Sequence, residues 1–224
     1  MLEDRHAFHG GIKMRLVTAL LAAAVFAAAA PAQPQAKFET SMGTVVVALE
    51  KDKAPKTVAN FIRYAKQGLY NNTVIYRIVP GYVIQTGSFG ADLKWRPTAN
   101  PIPLETAGGL SNKRGTVAMA RETKPTNSAK AEFFFNLADT NAKALDPKPE
   151  DAPNTTGFAV FGKVISGQEV LDAIALVPLG GMKGSFPTAY PMKPIVIKKV
   201  TVKEVATPAA DPVAPAADPA APQQ

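Results

Sequence analysis

The chain contains no cysteine, and its only two histidines, His6 and His9, fall within the first ten of its 224 residues. Without cysteine there is no disulfide scaffold, no thiolate metal site, no cysteine nucleophile and no lipid-modified cysteine. Without histidine beyond residue 9, a Ser-His-Asp triad, a Cys-His pair and an imidazole-ligated metal are excluded from the remainder. No Ser-x-x-Lys motif and no motif-placed pair of acids supplies a substitute. The chemistry carried here must therefore work without a conventional acid-base or nucleophilic centre, and we expect neither cofactor nor metal.

Long hydrophobic runs are also scarce. The one candidate, Leu16 to Ala30, is shorter than the ~20 residues of a membrane-spanning helix and consists largely of alanine. It follows Lys13 and Arg15 and ends in the small residues Ala30-Pro31-Ala32, the layout of a secretory signal peptide. We read residues 1–32 as a leader cleaved near Ala32, with no stable membrane insertion. Glu3 and Asp4 are unusual in such a leader, and Met14 is the more usual start. The destination expected is the periplasm.

The formal net charge is +7, and residues 1–32 carry three Lys/Arg and two Asp/Glu, so residues 33–224 keep +6. The basic residues are spread along the chain without interleaved aromatics, which argues against nucleic acid as a partner and for a soluble surface. At the other end, 206–224 is almost wholly Ala, Pro, Asp and Gln and cannot bury enough apolar surface to order itself. We read it as a disordered tail, 33–36 as a short linker, and 37–205 as one monomeric domain.

Within that domain, short β-branched runs punctuated by Gly, Pro and Asn predict strands. Phe38-Glu39-Thr40 and Thr44 to Leu49 form a first hairpin, and further strands are expected at Val74–Val79, Tyr82–Thr86, Gly115–Ala120, Phe133–Leu137, Ala159–Val164 and Ile195–Val202. Two helices interrupt them. One starts at Pro55 and carries Val58, Phe61, Ile62 and Ala65 on one face until Gly68; the other spans Gln168–Leu176. In a continuous strand from Val74 to Val79, Arg77 shares a face with Ile75 and Val79, opposite Val74, Tyr76 and Ile78.

Tyr76-Arg77-Ile78-Val79-Pro80-Gly81-Tyr82-Val83-Ile84-Gln85 resembles the signature of the cyclophilins, a strand carrying arginine that turns at Pro-Gly and returns with an aromatic residue and glutamine. Gly115 to Arg121, Glu132-Phe133-Phe134-Phe135-Asn136, Leu145-Asp146 and Phe158 to Val164 resemble later segments of that family in the same order, as does Ala54 to Phe61 before it. The resemblance covers about Lys37 to Val202. It implies a mainly β fold, a closed eight-stranded antiparallel barrel capped by two α-helices, and peptidyl-prolyl cis-trans isomerase activity on proline-containing polypeptides.

Carried over position by position, the resemblance makes Arg77 the catalytic arginine. Tyr82, Val83, Gln85, Ala120, Phe134, Leu145 and Phe158 line the proline pocket and its approach, and Arg121 and Glu132 border the groove. Three positions depart from the family: Glu132 stands where glutamine is common, Ala144 where a large aromatic is common, and Phe158 where histidine is common. A carboxylate at 132 either pairs with Arg77 and competes with substrate or accepts a backbone N–H from the bound peptide; on the first reading it restrains Arg77, and Glu132→Gln is expected to raise turnover. The segment Asn141 to Thr156 is expected to be a long loop, either folded over the groove or idle on the surface. The competing function is a peptide-binding chaperone with little turnover; a third reading is an envelope protein tethered by an uncleaved leader.

Overall fold

The computed structural model describes residues 33–149, 156–180 and 189–205. The expected leader, the tail and part of the 141–156 segment lie outside them. Among the described residues, nine strands and three helices run in the order β1 (Gln33–Thr40), β2 (Gly43–Leu49), α1 (Pro55–Lys66), β3 (Thr73–Val74), β4 (Arg77–Val79), β5 (Val83–Thr86), β6 (Thr116–Met119), β7 (Phe133–Asn136), α2 (Asn141–Leu145), β8 (Val160–Ser166), α3 (Gln168–Ala175) and β9 (Val196–Val205). Residues 33–36, expected to be a linker, are already strand: Gln33 stands opposite Val205 and Ala36 opposite Val202.

All strands join one sheet in the order β3-β9-β1-β2-β8-β6-β7-β5-β4, with every neighbouring pair antiparallel. The sheet is an open, strongly curled half-barrel of nine strands, and this corrects the closed eight-stranded barrel expected from the sequence. The cause is local. The segment read as one strand from Val74 to Val79 divides at Ile75-Tyr76, so that β3 pairs with β9 at one edge and β4 with β5 at the other. The two intervening amides split in the same way, Ile75 N donating to Ile195 O at 2.9 Å and Tyr76 N to Gln85 O at 3.3 Å.

Side chains on the concave face form the main core. Phe38, Phe61, Tyr70, Phe133, Phe135 and Phe161 are buried there, with neighbouring ring centroids 5.1–6.4 Å apart, the offset and edge-on spacings aromatic rings prefer. Helix α1 closes one end of this core, burying Val58, Phe61, Tyr64 and Ala65. Its N-cap, Ala54, offers no side-chain acceptor. The remote Glu105 carboxylate does so instead, accepting Lys56 N at 3.1 Å and Thr57 N at 2.7 Å, which satisfies amides a helix start leaves open.

Helix α3 packs against β2, burying Leu171 and Ile174. The third helix, α2, occupies the start of the segment expected to be a loop throughout. No helix among the described residues is long and apolar enough to cross a membrane.

Candidate active site

Strand register sets the site. Reading across β4, β5, β7 and β6, the aligned residues are Arg77, Gln85, Phe134 and Ala118. Their sequence neighbours Ile78, Ile84, Phe133, Phe135, Val117 and Met119 all enter the main core. Because successive side chains on a strand alternate in direction, the aligned four emerge on the convex face. There Val83, Ala118, Phe134, Leu145 and Val160 form a second apolar cluster, with Val79, Tyr82, Ala120 and Phe158 packed against it.

Within this cluster lies a cleft of about 240 Å³ lined by Arg77, Tyr82, Val83, Gln85, Ala120, Arg121, Phe134, Leu145 and Phe158. Every residue predicted for the pocket is thus brought together except Glu132. That residue lines an adjoining cavity of about 680 Å³, which shares Gln85, Ala120 and Arg121 with the cleft and adds Ser88, Trp95, Thr98 and Lys130 among others. Gly87 explains the placement. Its φ of +130°, and the position a Cβ would take 2.6 Å from Ala131 O, require glycine where β5 leaves the sheet against the start of β7. This close approach sets Ser88 beside Glu132, whose Oε1 accepts the serine hydroxyl.

The cleft walls are braced from behind by asparagines. The Nδ2 of Asn112 donates to Leu145 O and Phe158 O, both at 3.2 Å, and to Asp146 Oδ1 at 2.9 Å. Asn136 donates to Asn112 Oδ1 at 3.1 Å, and Asn141 donates to both Asn136 Oδ1 (2.8 Å) and Tyr82 O (2.7 Å). Three wall residues, Tyr82, Leu145 and Phe158, are therefore held by their backbone carbonyls. In front, Phe158 packs edge-on against Phe134 with centroids 5.6 Å apart. Its ring also lies 4.8 Å from the Arg121 guanidinium, whose Nε donates to Gly157 O at 2.8 Å. Partial burial lowers the pKa of Arg121 from the ordinary arginine value.

Arg77 Nη1 donates to Gln85 Oε1 at 3.2 Å, and Gln85 Nε2 donates to the Tyr76 hydroxyl at 2.5 Å. The expected ion pair between Arg77 and Glu132 is not formed. The ion pairs between described residues are Lys37–Glu39 and Arg114–Asp172, and Glu132 instead takes a hydrogen bond from Ser88. The neighbouring Tyr76 phenol meets Gln85, accepting its Nε2 hydrogen. Burial, and then the Glu132 carboxylate, push the Tyr76 hydroxyl far above its ordinary pKa, so it stays protonated.

Sequence reasoning missed Tyr76 because strict alternation paired it with Ile78. Instead Ile75 and Ile78 both enter the main core, and Tyr76 packs with Val74 and Tyr190. It also missed Asn112, whose polar type and Gly-Ser-rich surroundings read as ordinary turn.

The profile of the family described as "Cyclophilin type peptidyl-prolyl cis-trans isomerase/CLD" matches residues 35–202. A peptidyl-prolyl cis-trans isomerase of Acinetobacter baylyi is 38% identical over 87% of this chain and 98% of its own length. Peptidyl-prolyl cis-trans isomerase B of Escherichia coli is 38% identical over 75% of this chain and 98% of its own, and isomerase A of Dickeya dadantii 42% identical over 73% and 81%. Among solved structures, a cyclophilin-type isomerase of Cryptosporidium parvum superposes with a TM-score of 0.61 at 22% identity, covering 76% of this chain and 99% of that one. The match across 35–202 and the bacterial relatives at this identity make the chain a member of the cyclophilin-type peptidyl-prolyl cis-trans isomerases, and an enzyme.

Proposed function

We propose that this isomerase acts as a monomer on X-Pro bonds of exported proteins, with Arg77 as the catalytic donor and no cofactor or metal. Rotation about a peptide bond faces a barrier of ~18–20 kcal/mol because nitrogen shares its lone pair with the carbonyl. Twisting the bond returns that pair to nitrogen. A donor aimed at the prolyl nitrogen therefore stabilises the twisted state more than either planar state, which is what lowers a barrier.

A guanidinium suits this task. It remains charged at any working pH, offers several fixed N–H groups and needs no partner base, so a domain without histidine loses nothing. A charge-assisted hydrogen bond of about 2–3 kcal/mol corresponds to a rate gain of roughly 30- to 150-fold. The remainder is assigned to the apolar cleft. Tyr82, Val83, Ala120, Phe134, Leu145 and Phe158 hold the ring and exclude water, while Gln85 and the rim residues Arg121 and Glu132 face the flanking peptide.

The observation that carries this reading is that Arg77 and an aromatic-walled apolar cluster share one cleft on the convex face. The Cryptosporidium parvum protein was solved in the presence of the dipeptide Ala-Pro, a ligand of the class proposed here. Export rests on the leader-like composition of residues 1–32, with cleavage near Ala32 and a periplasmic destination.

The test uses protein recovered from a periplasmic extract, whose mass reports cleavage, in a protease-coupled assay on a proline peptide. Arg77→Ala is expected to lower kcat/KM by at least about 30-fold. A variant within threefold of the parent removes Arg77 from the mechanism, and a parent that binds peptide without turnover favours the chaperone. Absence of the protein from that extract overturns the export reading, and a full-length mass overturns cleavage near Ala32.

A further inference from the structure

Phe158 is half-buried and precedes β8 by two residues, so the sheet ladder does not fix it. Its backbone is held from behind: its N–H donates to Leu145 O at 2.9 Å, and its carbonyl accepts the Asn112 amide. The direction of its ring depends on what the ring touches. Those contacts are the edge-on packing against Phe134 and the Arg121 guanidinium, 4.8 Å from the ring centroid and within cation–π reach.

Arg121 comes to this place from the other side of the cleft, two residues past the end of β6. All three of its guanidinium nitrogens donate to the protein: Nε to Gly157 O at 2.8 Å, Nη1 to Glu122 O at 2.8 Å, and Nη2 to Thr156 Oγ1 at 2.6 Å. A planar fork with fixed donors that meets three acceptors at once has little freedom left. Two of the acceptors are themselves held. Gly157 is buried at φ +65°, and a Cβ there would stand 2.5 Å from Pro147 N, so the chain lies close against Pro147. Glu122 donates its own N–H to Ser128 Oγ at 2.9 Å. Turning the guanidinium toward a bound peptide would break these bonds in a part-buried site, where unmade hydrogen bonds are costly.

From this we infer that Arg121 is a positioning residue: its guanidinium, tied to Glu122, Thr156 and Gly157, holds the Phe158 ring in place and so sets how tightly the cleft grips the substrate proline. The inference rests on the reading of Phe158 as a wall of the proline cleft. It adds to the rim position of Arg121 a part that does not depend on which residues flank the proline.

The test is a set of variants of the full chain assayed on proline peptides. A wall grips the planar and the twisted substrate alike, so Arg121→Ala is expected to raise KM about 5- to 20-fold while kcat stays within about twofold. Arg121→Lys keeps the charge but cannot meet the three acceptors together, and its KM should rise about 2- to 5-fold. On a Phe158→Ala background, Arg121→Ala should raise KM by less than about a further twofold, because no ring remains to be held. The rise in Arg121→Ala should also agree, within about twofold, among peptides with Glu, Ala or Lys beside the X-Pro pair.

Unchanged KM in Arg121→Ala overturns the inference, even where Tm falls; should that variant not fold, unchanged KM in Arg121→Lys does the same. A full additional rise on the Phe158→Ala background also overturns it, as does a rise confined to the Glu peptide, which would make Arg121 a direct contact of the substrate. A Phe158→Ala enzyme with the KM of its parent is a separate result, and it removes Phe158 from the cleft wall together with what rests on it.

Discussion

Asn112 is wholly buried, and its one side chain reaches the carbonyls of two cleft walls, Leu145 and Phe158, and the Asp146 carboxylate. Alanine there removes the Asn112 donor to Phe158 O and one of the partners of Leu145 O, Asp146 Oδ1 and the Asn136 amide, which keep Phe158 N, Asn112 N and Thr116 Oγ1 respectively, a loss of about 1–3 kcal/mol. Asn112→Ala is therefore expected to lower Tm and also to raise KM several-fold, since Leu145 and Phe158 lose a common anchor; thermal melts and peptide kinetics read the two effects. A lower Tm with KM unmoved would mean that the anchor serves the core and not the cleft. The same residue shows where legibility ends. Arg77, Gln85, Phe134 and the other wall residues could be named because the segments that carry them resemble those of a known family, position by position. The asparagine brace joins positions 112, 136 and 141 through side-chain geometry alone, and nothing in their local sequence distinguishes a buried amide from one in a turn.

At the scale of elements, α3 is tied to the loop before β6 by Arg114, which donates to both carboxylate oxygens of Asp172 at 2.8 and 2.7 Å. The Arg114 hydrogen bond holds the Asp172 pKa below the ordinary aspartate value. Linkage gives the sign. A depressed folded pKa contributes stability above the unfolded value of about 3.9, and that contribution is lost as pH falls through the lower folded value. Both side chains are more than a third exposed, so solvent screening limits the pair to about 0.2–1 kcal/mol. Asp172→Asn should melt up to about 2–4 °C below the parent at pH 7, and the gap should close in acid near pH 2. A gap that persists unchanged in acid would assign the effect to packing of α3. The helices themselves divide by length. Amphipathic periodicity marked α1 and α3 to within two residues, whereas α2, five residues long, carries too few positions to show any period.

Across the whole molecule, one seven-residue segment, Thr73 to Val79, supplies both edges of the curled sheet, and Ile75 lies where they part. That division was invisible to a period-two reading, because five apolar or aromatic side chains around one arginine satisfy a continuous strand as well as a broken one. It has a consequence for function: the break sets Arg77 at the head of an edge strand. Ile75 is 1% exposed, belongs to the main core, and spends its amide on Ile195 O. Truncating it removes core volume at the one place where the sheet has no ladder of its own to resist opening. Ile75→Ala is expected to cost about 2–5 kcal/mol, the range for such core truncations, and to lower Tm by roughly 5–15 °C. Hydrogen exchange should then show faster opening of β3 and β4 than of β1, β2 and β8, which are paired on both sides. If the loss is spread evenly over all the strands, the junction is no weaker than the rest of the sheet; if Tm falls by less than about 2 °C, Ile75 is not what holds the two edges together.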